Sequence, residues 1–350
     1  MMRRVFAIIL ALVCFTPAEA ARMDDPKGNS ADAGLRLIKD YRAKPDLRSV
    51  PPLIRMLSER GAFKDAESSG VYVGFLAGVL GSNPRGAKAL IEQTLPLPFE
   101  DQWLVFRAVA YSGLPHWREL MRDLAKRMPD RTMLADHYLS GKLPTLETVE
   151  LEPKQASRMD KVRRVFKRET YFGPRKEPPR QLTFLSNPEL IDTHWGLYFA
   201  TGKDAPIKRI LVLLPWSKER DNVEKLTVGG MAKFTLAANA MRDAKLLRLL
   251  KQVSPQQSKA VKPLLDEVLE AAETADIGRI KKEALASVDE LRRKGPGSKR
   301  EIAWWGKVGE ATLSLGCLGA AVAGQVEFGL PCVVGGALST AALRYFASPE

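Results

Sequence analysis

Apolar residues recur along most of this chain at intervals of three and four, the spacing that places them on one face of an α-helix. In Ala31–Ala43 the residues Leu35, Leu37, Ile38 and Tyr41 follow that spacing, and Ser30 or Asp32 can cap the helix they predict. Val50–Gly61 has prolines where a first helical turn tolerates them and stops at a glycine. Strand-like alternation is scarce. Its best example, RILVLLPW (Arg209–Trp216), fits the end of a buried helix equally well. The pattern predicts an all-α fold.

The same apolar grammar occurs twice. Gly74–Pro98 and Gly196–Trp216 each contain an apolar helix ending at a glycine, a short polar link with a proline (Pro84, Pro206), and a second helix running to Leu-Pro. Trp103–Leu124 and Met231–Leu250 continue alike: an alanine-bearing apolar helix, a break, then an amphipathic helix. Ala108, Ala110, Ala237 and Ala238 are small enough for close helix stacking. We expect a helical-repeat-like body, an α-solenoid or bundle, in which each unit buries its face against the next. Generic helix–loop–helix similarity is the competing account.

Composition breaks the pattern in two places. Lys154–Gln181 holds ten Lys/Arg against three acids and then turns proline-rich, like an extended linker. It divides an N-terminal helical region (21–150) from a second one (186–294), with residues 151–185 as a basic, proline-rich linker. Within it Arg163, Arg164, Lys167 and Arg168 are the expected contacts for an anionic surface, and a solvated basic helix is the plainer reading. A second linker, Arg292–Arg300, precedes an apolar, small-residue-rich helical hairpin at 303–347.

The ends fix the expected compartment. Arg3 and Arg4, the apolar run Val5–Phe15 and the small residues Ala18 and Ala20 form a secretory signal peptide (1–20), cleaved after Ala20. Cys14 leaves with it, and Cys317 and Cys332 remain as a pair expected to form a disulfide in an oxidising compartment. They flank the turn-like sequence AGQVEFG at equal distance, and the glycines and alanines around them permit the close helix approach a disulfide needs. Closing a loop of about 15 residues contributes roughly 3 kcal/mol. Two separate buried thiols are the alternative.

The formal charge is +13, and +12 once Arg3, Arg4 and Glu19 are removed. Outside the cytoplasm that balance suits anionic envelope surfaces better than nucleic acid, so a protein or anionic envelope partner is expected and nucleic acid is not. The hairpin has two readings. Trp304 and Trp305 beside Lys and Arg resemble a membrane-interface anchor. Each uncharged arm, however, is short of the roughly 20 residues of a full span, which favours a buried or surface-lying hairpin.

The run Pro188–Leu250 resembles a group of exported bacterial proteins of uncharacterised function. The resemblance rests on Trp195-Gly196, Phe199-Ala200-Thr201-Gly202, Gly229-Gly230 and Ala238-Asn239. It implies a helical envelope protein and no established activity.

Chemistry-bearing motifs are few. His116, His137 and His194 lie far apart, and no HExxH accompanies them. In DTHW, Asp192 and His194 can meet at a helix start, although Asp192 as a cap and His194 as a polar-face residue is the preferred reading. The sequence contains no GxSxG, SxxK or cysteine–histidine pattern and no P-loop. Gly229 and Gly230 precede a helix where backbone N–H groups can hold an anion, but tight packing is the expected use. No catalytic, cofactor-binding or metal-binding residue is assigned. The expected function is that of a non-enzymatic, periplasmic or otherwise exported binding or structural protein. A membrane-attached protein inserted through the hairpin is the first alternative, and a hydrolase with dispersed carboxylates the second.

Overall fold

The computed structural model describes residues 28–66, 68–152, 181–280, 282, 283 and 286. The described chain is all-α. Its helices are α1 (Gly28–Asp40), α2 (Val50–Glu59), α3 (Gly70–Ser82), α4 (Ala87–Thr94), α5 (Trp103–Tyr111), α6 (Trp117–Arg127) and α7 (Thr132–Leu139). After the basic segment follow α8 (Leu190–Thr201), α9 (Ala205–Leu211), α10 (Val223–Ala240), α11 (Ala244–Val253) and α12 (Lys262–Glu273). The single β-pairing among the described residues is a parallel bridge between Glu150 and Thr183.

Local chemistry sets the element ends. Prolines stand in the first turn of α2, and Gly61 just beyond it takes a positive φ of 72°. Gly202 closes α8 in the left-handed conformation, donating its N–H to the Tyr198 carbonyl at 2.7 Å. Asn222 caps α10 by accepting from the Lys225 N–H at 2.9 Å. RILVLLPW becomes the end of α9 followed by a 3₁₀ turn, Leu214–Lys218. Helix α1 starts at Gly28, so Ser30 and Asp32 lie inside it and not at its cap. Leu35, Ile38 and Tyr41 are buried as their spacing predicts, but Leu37 is 58 % exposed. Two positions from Leu35 on a helix is close to the opposite face, so Leu37 cannot join the stripe.

The centre of the fold is the pair α3 and α8. Helix α3 is buried from Gly70 to Leu80 on every side, and α8 nearly so. They run parallel and touch backbone to backbone. A Cβ added at Gly74 would stand 2.7 Å from the Thr193 carbonyl carbon and nearer still to its oxygen. One added at Gly196 would stand 2.6 Å from the Phe75 nitrogen and closer to the Val71 oxygen. Real carbon contacts lie near 3.5–4.0 Å, so only glycine fits at either position.

Around this pair, α1, α5 and α9 complete the inner layer, while α10 packs on the Leu214–Lys218 turn, α11 and α12. One hydrophobic cluster runs through both helical regions, from Leu35 to Ile280.

Candidate functional site

A polar internal junction joins the turn after α1, the end of α8 and the start of α11. The 3₁₀ turn Tyr41–Ala43 carries Arg42 across to Asp243, where guanidinium and carboxylate pair with both side chains only 16 % exposed. The same guanidinium lies 4.4 Å above the Tyr198 ring, and the Tyr198 hydroxyl donates to Asp243 Oδ2 at 3.1 Å. Asp243 Oδ1 is also the cap of α11, accepting from the N–H groups of Lys245 and Leu246 at 3.0 and 3.1 Å. Asp243 thus accepts from four donors, which uses its lone pairs fully.

Burial raises the Tyr198 phenol to about 12, with the Arg42 cation opposing and the Asp243 anion adding to the shift. It stays protonated at neutral pH. Burial also lowers the Lys39 ammonium, helped by Arg242 and opposed by Asp40 and Asp243. The junction is chemically a cross-link between three elements. Beside it opens a cleft of about 190 Å³ lined by Leu37, Asp40, Tyr41, Lys44, Ser49 and Leu53.

A second polar centre sits under α10. Lys233 is 3 % exposed within the apolar run Met231–Leu236. Its ammonium donates to Glu283 at 2.8 Å and to Glu267 of α12. Lys218 closes the ring, pairing with Glu283 and lying 3.6 Å from Glu267. Burial alone raises the Glu283 carboxyl, but hydrogen bonds from Lys218 and Lys233 hold it below its usual value. Two cations and two anions alternate around a square, so the buried charge of Lys233 is balanced.

The DTHW segment lies in the first turns of α8, entirely buried. Glu189 takes the cap position, so Asp192 is not a cap. His194 is not on a polar face. It is 4 % exposed, its ring 5.1 Å from that of Phe184, and Nδ1 lies 2.7 Å from the Leu190 carbonyl. A carbonyl only accepts, so Nδ1 carries the proton. Burial, with a smaller push from Arg209, lowers this imidazole to about 4. The sequence-level juxtaposition of carboxylate and imidazole dissolves because residues two apart on a helix do not face each other.

No family model, curated protein or solved structure matches the chain.

The remaining sequence-predicted positions divide simply. The cleavage site at Ala20, Cys14, Cys317 and Cys332, the hairpin with Trp304 and Trp305, and Arg163, Arg164, Lys167 and Arg168 lie outside the described residues. No helix among the described residues is long and apolar enough to cross a membrane. His116 precedes α6 and His137 lies in α7, and no group of described His, Cys, Asp or Glu side chains could hold a metal ion. Gly229 serves close packing: an added Cβ would lie 2.7 Å from Trp216 Cβ and nearer to the Trp216–Ser217 backbone. Gly230 has nothing within 4 Å of such a Cβ, so packing does not require it.

Sequence reasoning missed Arg42, Tyr198, Asp243 and Lys233. The last had a legible signal, since a lysine inside GGMAKFTLAANA must find counter-charges if that helix is buried.

Proposed function

We propose that the chain is an exported, non-enzymatic binding protein of the bacterial envelope, a repeat-like helical body that presents a basic segment to an anionic surface. The observation that carries this reading is how the basic segment is rooted. The Glu150 N–H donates to the Leu182 carbonyl and the Phe184 N–H to the Glu150 carbonyl, both at 3.0 Å. Lys225 pairs with Glu152 at 2.8 Å beside them. The residues that flank 153–180 on either side are therefore fastened together on the body. Ten of the fifty-four Lys and Arg residues leave and return at one place. Connecting the helical regions needs almost no chain there, because the flanking residues already touch, so the length and charge of the segment serve something else. A concentrated positive charge of this kind draws lipid headgroups or acidic polymers by long-range attraction that salt screens.

The buried ionisable groups support a structural body. Asp243 is saturated, Lys233 is caged and His194 is held neutral, each by partners of the fold. Export is tested by secretion from a bacterial host followed by sequencing of the mature N-terminus. The reading expects a chain beginning at Ala21 in the periplasmic fraction. An unprocessed, cytoplasmic chain overturns it.

A further inference from the structure

The contacts across α3 and α8 are reciprocal. Gly74 stands against Thr193, three residues before Gly196, and Gly196 stands against Val71, three residues before Gly74. The interval in the chain from Gly74 to Gly196 is the same as that from Val71 to Thr193. Gly78 and Ala200, separated by that interval again, face each other directly: a Cβ on Gly78 would lie 2.7 Å from the Ala200 Cβ. A contact of i with j matched by a contact of j's counterpart with i's counterpart is the signature of an isologous, twofold interface. The helices run parallel, so the axis lies along them.

The surroundings obey the same correspondence. Tyr72 and His194 stand at this interval, and each has a phenylalanine from the preceding segment on its ring, Phe63 at 5.5 Å and Phe184 at 5.1 Å. Pro84 and Pro206 repeat the interval at the helix ends. Beyond them the order is shared: a short helix (α4, α9), a 3₁₀ turn (Phe99–Asp101, Leu214–Lys218), an apolar helix (α5, α10) and an amphipathic one (α6, α11). The outer packing has diverged, since α5 rests on α3 while α10 rests chiefly on its own 3₁₀ turn and α12.

We infer that residues 63–127 and 184–253 are two copies of one helical unit, and that the α3 and α8 faces form a self-complementary docking surface whose partner is a second copy of that unit, here supplied within the same chain. The interface, and not the covalent connection through residues 153–180, holds the halves together. A linear solenoid stacks each unit on the next by translation; this arrangement pairs two units about a dyad.

The test uses the full chain with a site-specific protease sequence inserted in residues 153–180. After cleavage, size-exclusion chromatography with light scattering is expected to give one species of full-chain mass, which melts cooperatively at a temperature that rises with protein concentration. Separation of the fragments, or their unfolding, overturns the proposal. The symmetry is read in the uncut chain. Gly74→Ala and Gly196→Ala are expected to lower the melting temperature by amounts within about twofold of each other, and the double variant by less than the sum, because the first methyl already parts the helices for the second. Single effects that differ more than about threefold, or strict additivity, contradict a twofold crossing.

Discussion

Two adjacent glycines on α10 should respond to the same substitution with opposite signs. In Gly229→Ala the new methyl would lie 2.7 Å from Trp216 Cβ and closer to the Trp216 and Ser217 backbone. Ordinary carbon contacts need about 3.5–4.0 Å, so the turn must retreat by about 1 Å. It is poorly placed to do so. Pro215 stands in its first turn, the Glu219 N–H bonds the Trp216 carbonyl at 3.1 Å, and Lys218 is tied into the charge ring beneath α10. Overpacking of this kind costs about 1–3 kcal/mol, against which alanine regains nearly 1 kcal/mol of helix propensity. In Gly230→Ala the methyl meets nothing within 4 Å and only the propensity gain remains. The variants should differ by roughly 2 kcal/mol, or about 4–8 °C in melting temperature for a domain of this size. Urea unfolding followed by far-UV circular dichroism reads both. Destabilisation by the two substitutions alike, or a Gly229→Ala protein more stable than the parent, refutes the close approach of α10 to the turn.

Other predictions follow from the buried charges. Lys233→Ala strands Glu267 and Glu283 against Lys218 alone and should cost about 3 kcal/mol, while Lys233→Met, which keeps the apolar stem volume, should cost clearly less; chemical denaturation separates them. The His194 imidazole is depressed to about 4, so the unfolded chain gains a proton first as pH falls. Stability is complete above about pH 6.5 and lost towards pH 4, by about 3 kcal/mol, and a His194→Phe protein should lack that loss in a melting-temperature series. The folded Glu283 carboxyl lies below its ordinary 4.5, so its contribution is present above that pH and lost as pH falls through the folded value; Glu283→Gln should flatten the curve there and leave the His194 window unchanged. Tyr198→Phe removes one donor from Asp243 and should cost about 1 kcal/mol by urea titration, without disturbing the capped start of α11.

The all-α class was legible because a three-and-four apolar spacing has no strand counterpart. The likeness of Gly74–Pro98 to Gly196–Trp216 was legible too, but not that their first helices touch. Periodicity marks which face of a helix is buried and is silent about its partner, and α3, apolar all round, has no distinguishable face. Leu37 failed because a count of apolar residues ignored its angle from Leu35. Asp192 read as a cap and His194 as a polar-face residue because single-residue polarity outweighs context in a sequence. Their burial follows from the glycine crossing, which draws the start of α8 into the centre of the molecule. The Arg42–Asp243 pair joins residues two hundred positions apart, and nothing local in either segment announces the other.

The proposed role depends most on the basic segment meeting an anionic surface, and co-sedimentation of the full mature chain with lipid vesicles tests that directly. We predict binding to vesicles containing phosphatidylglycerol, weakening as salt is raised from about 50 to 500 mM. Binding should be negligible on phosphatidylcholine and sharply reduced in the Arg163→Ala, Arg164→Ala, Lys167→Ala, Arg168→Ala protein. Equal binding to both vesicle types, or binding unaffected by the four substitutions, contradicts the account.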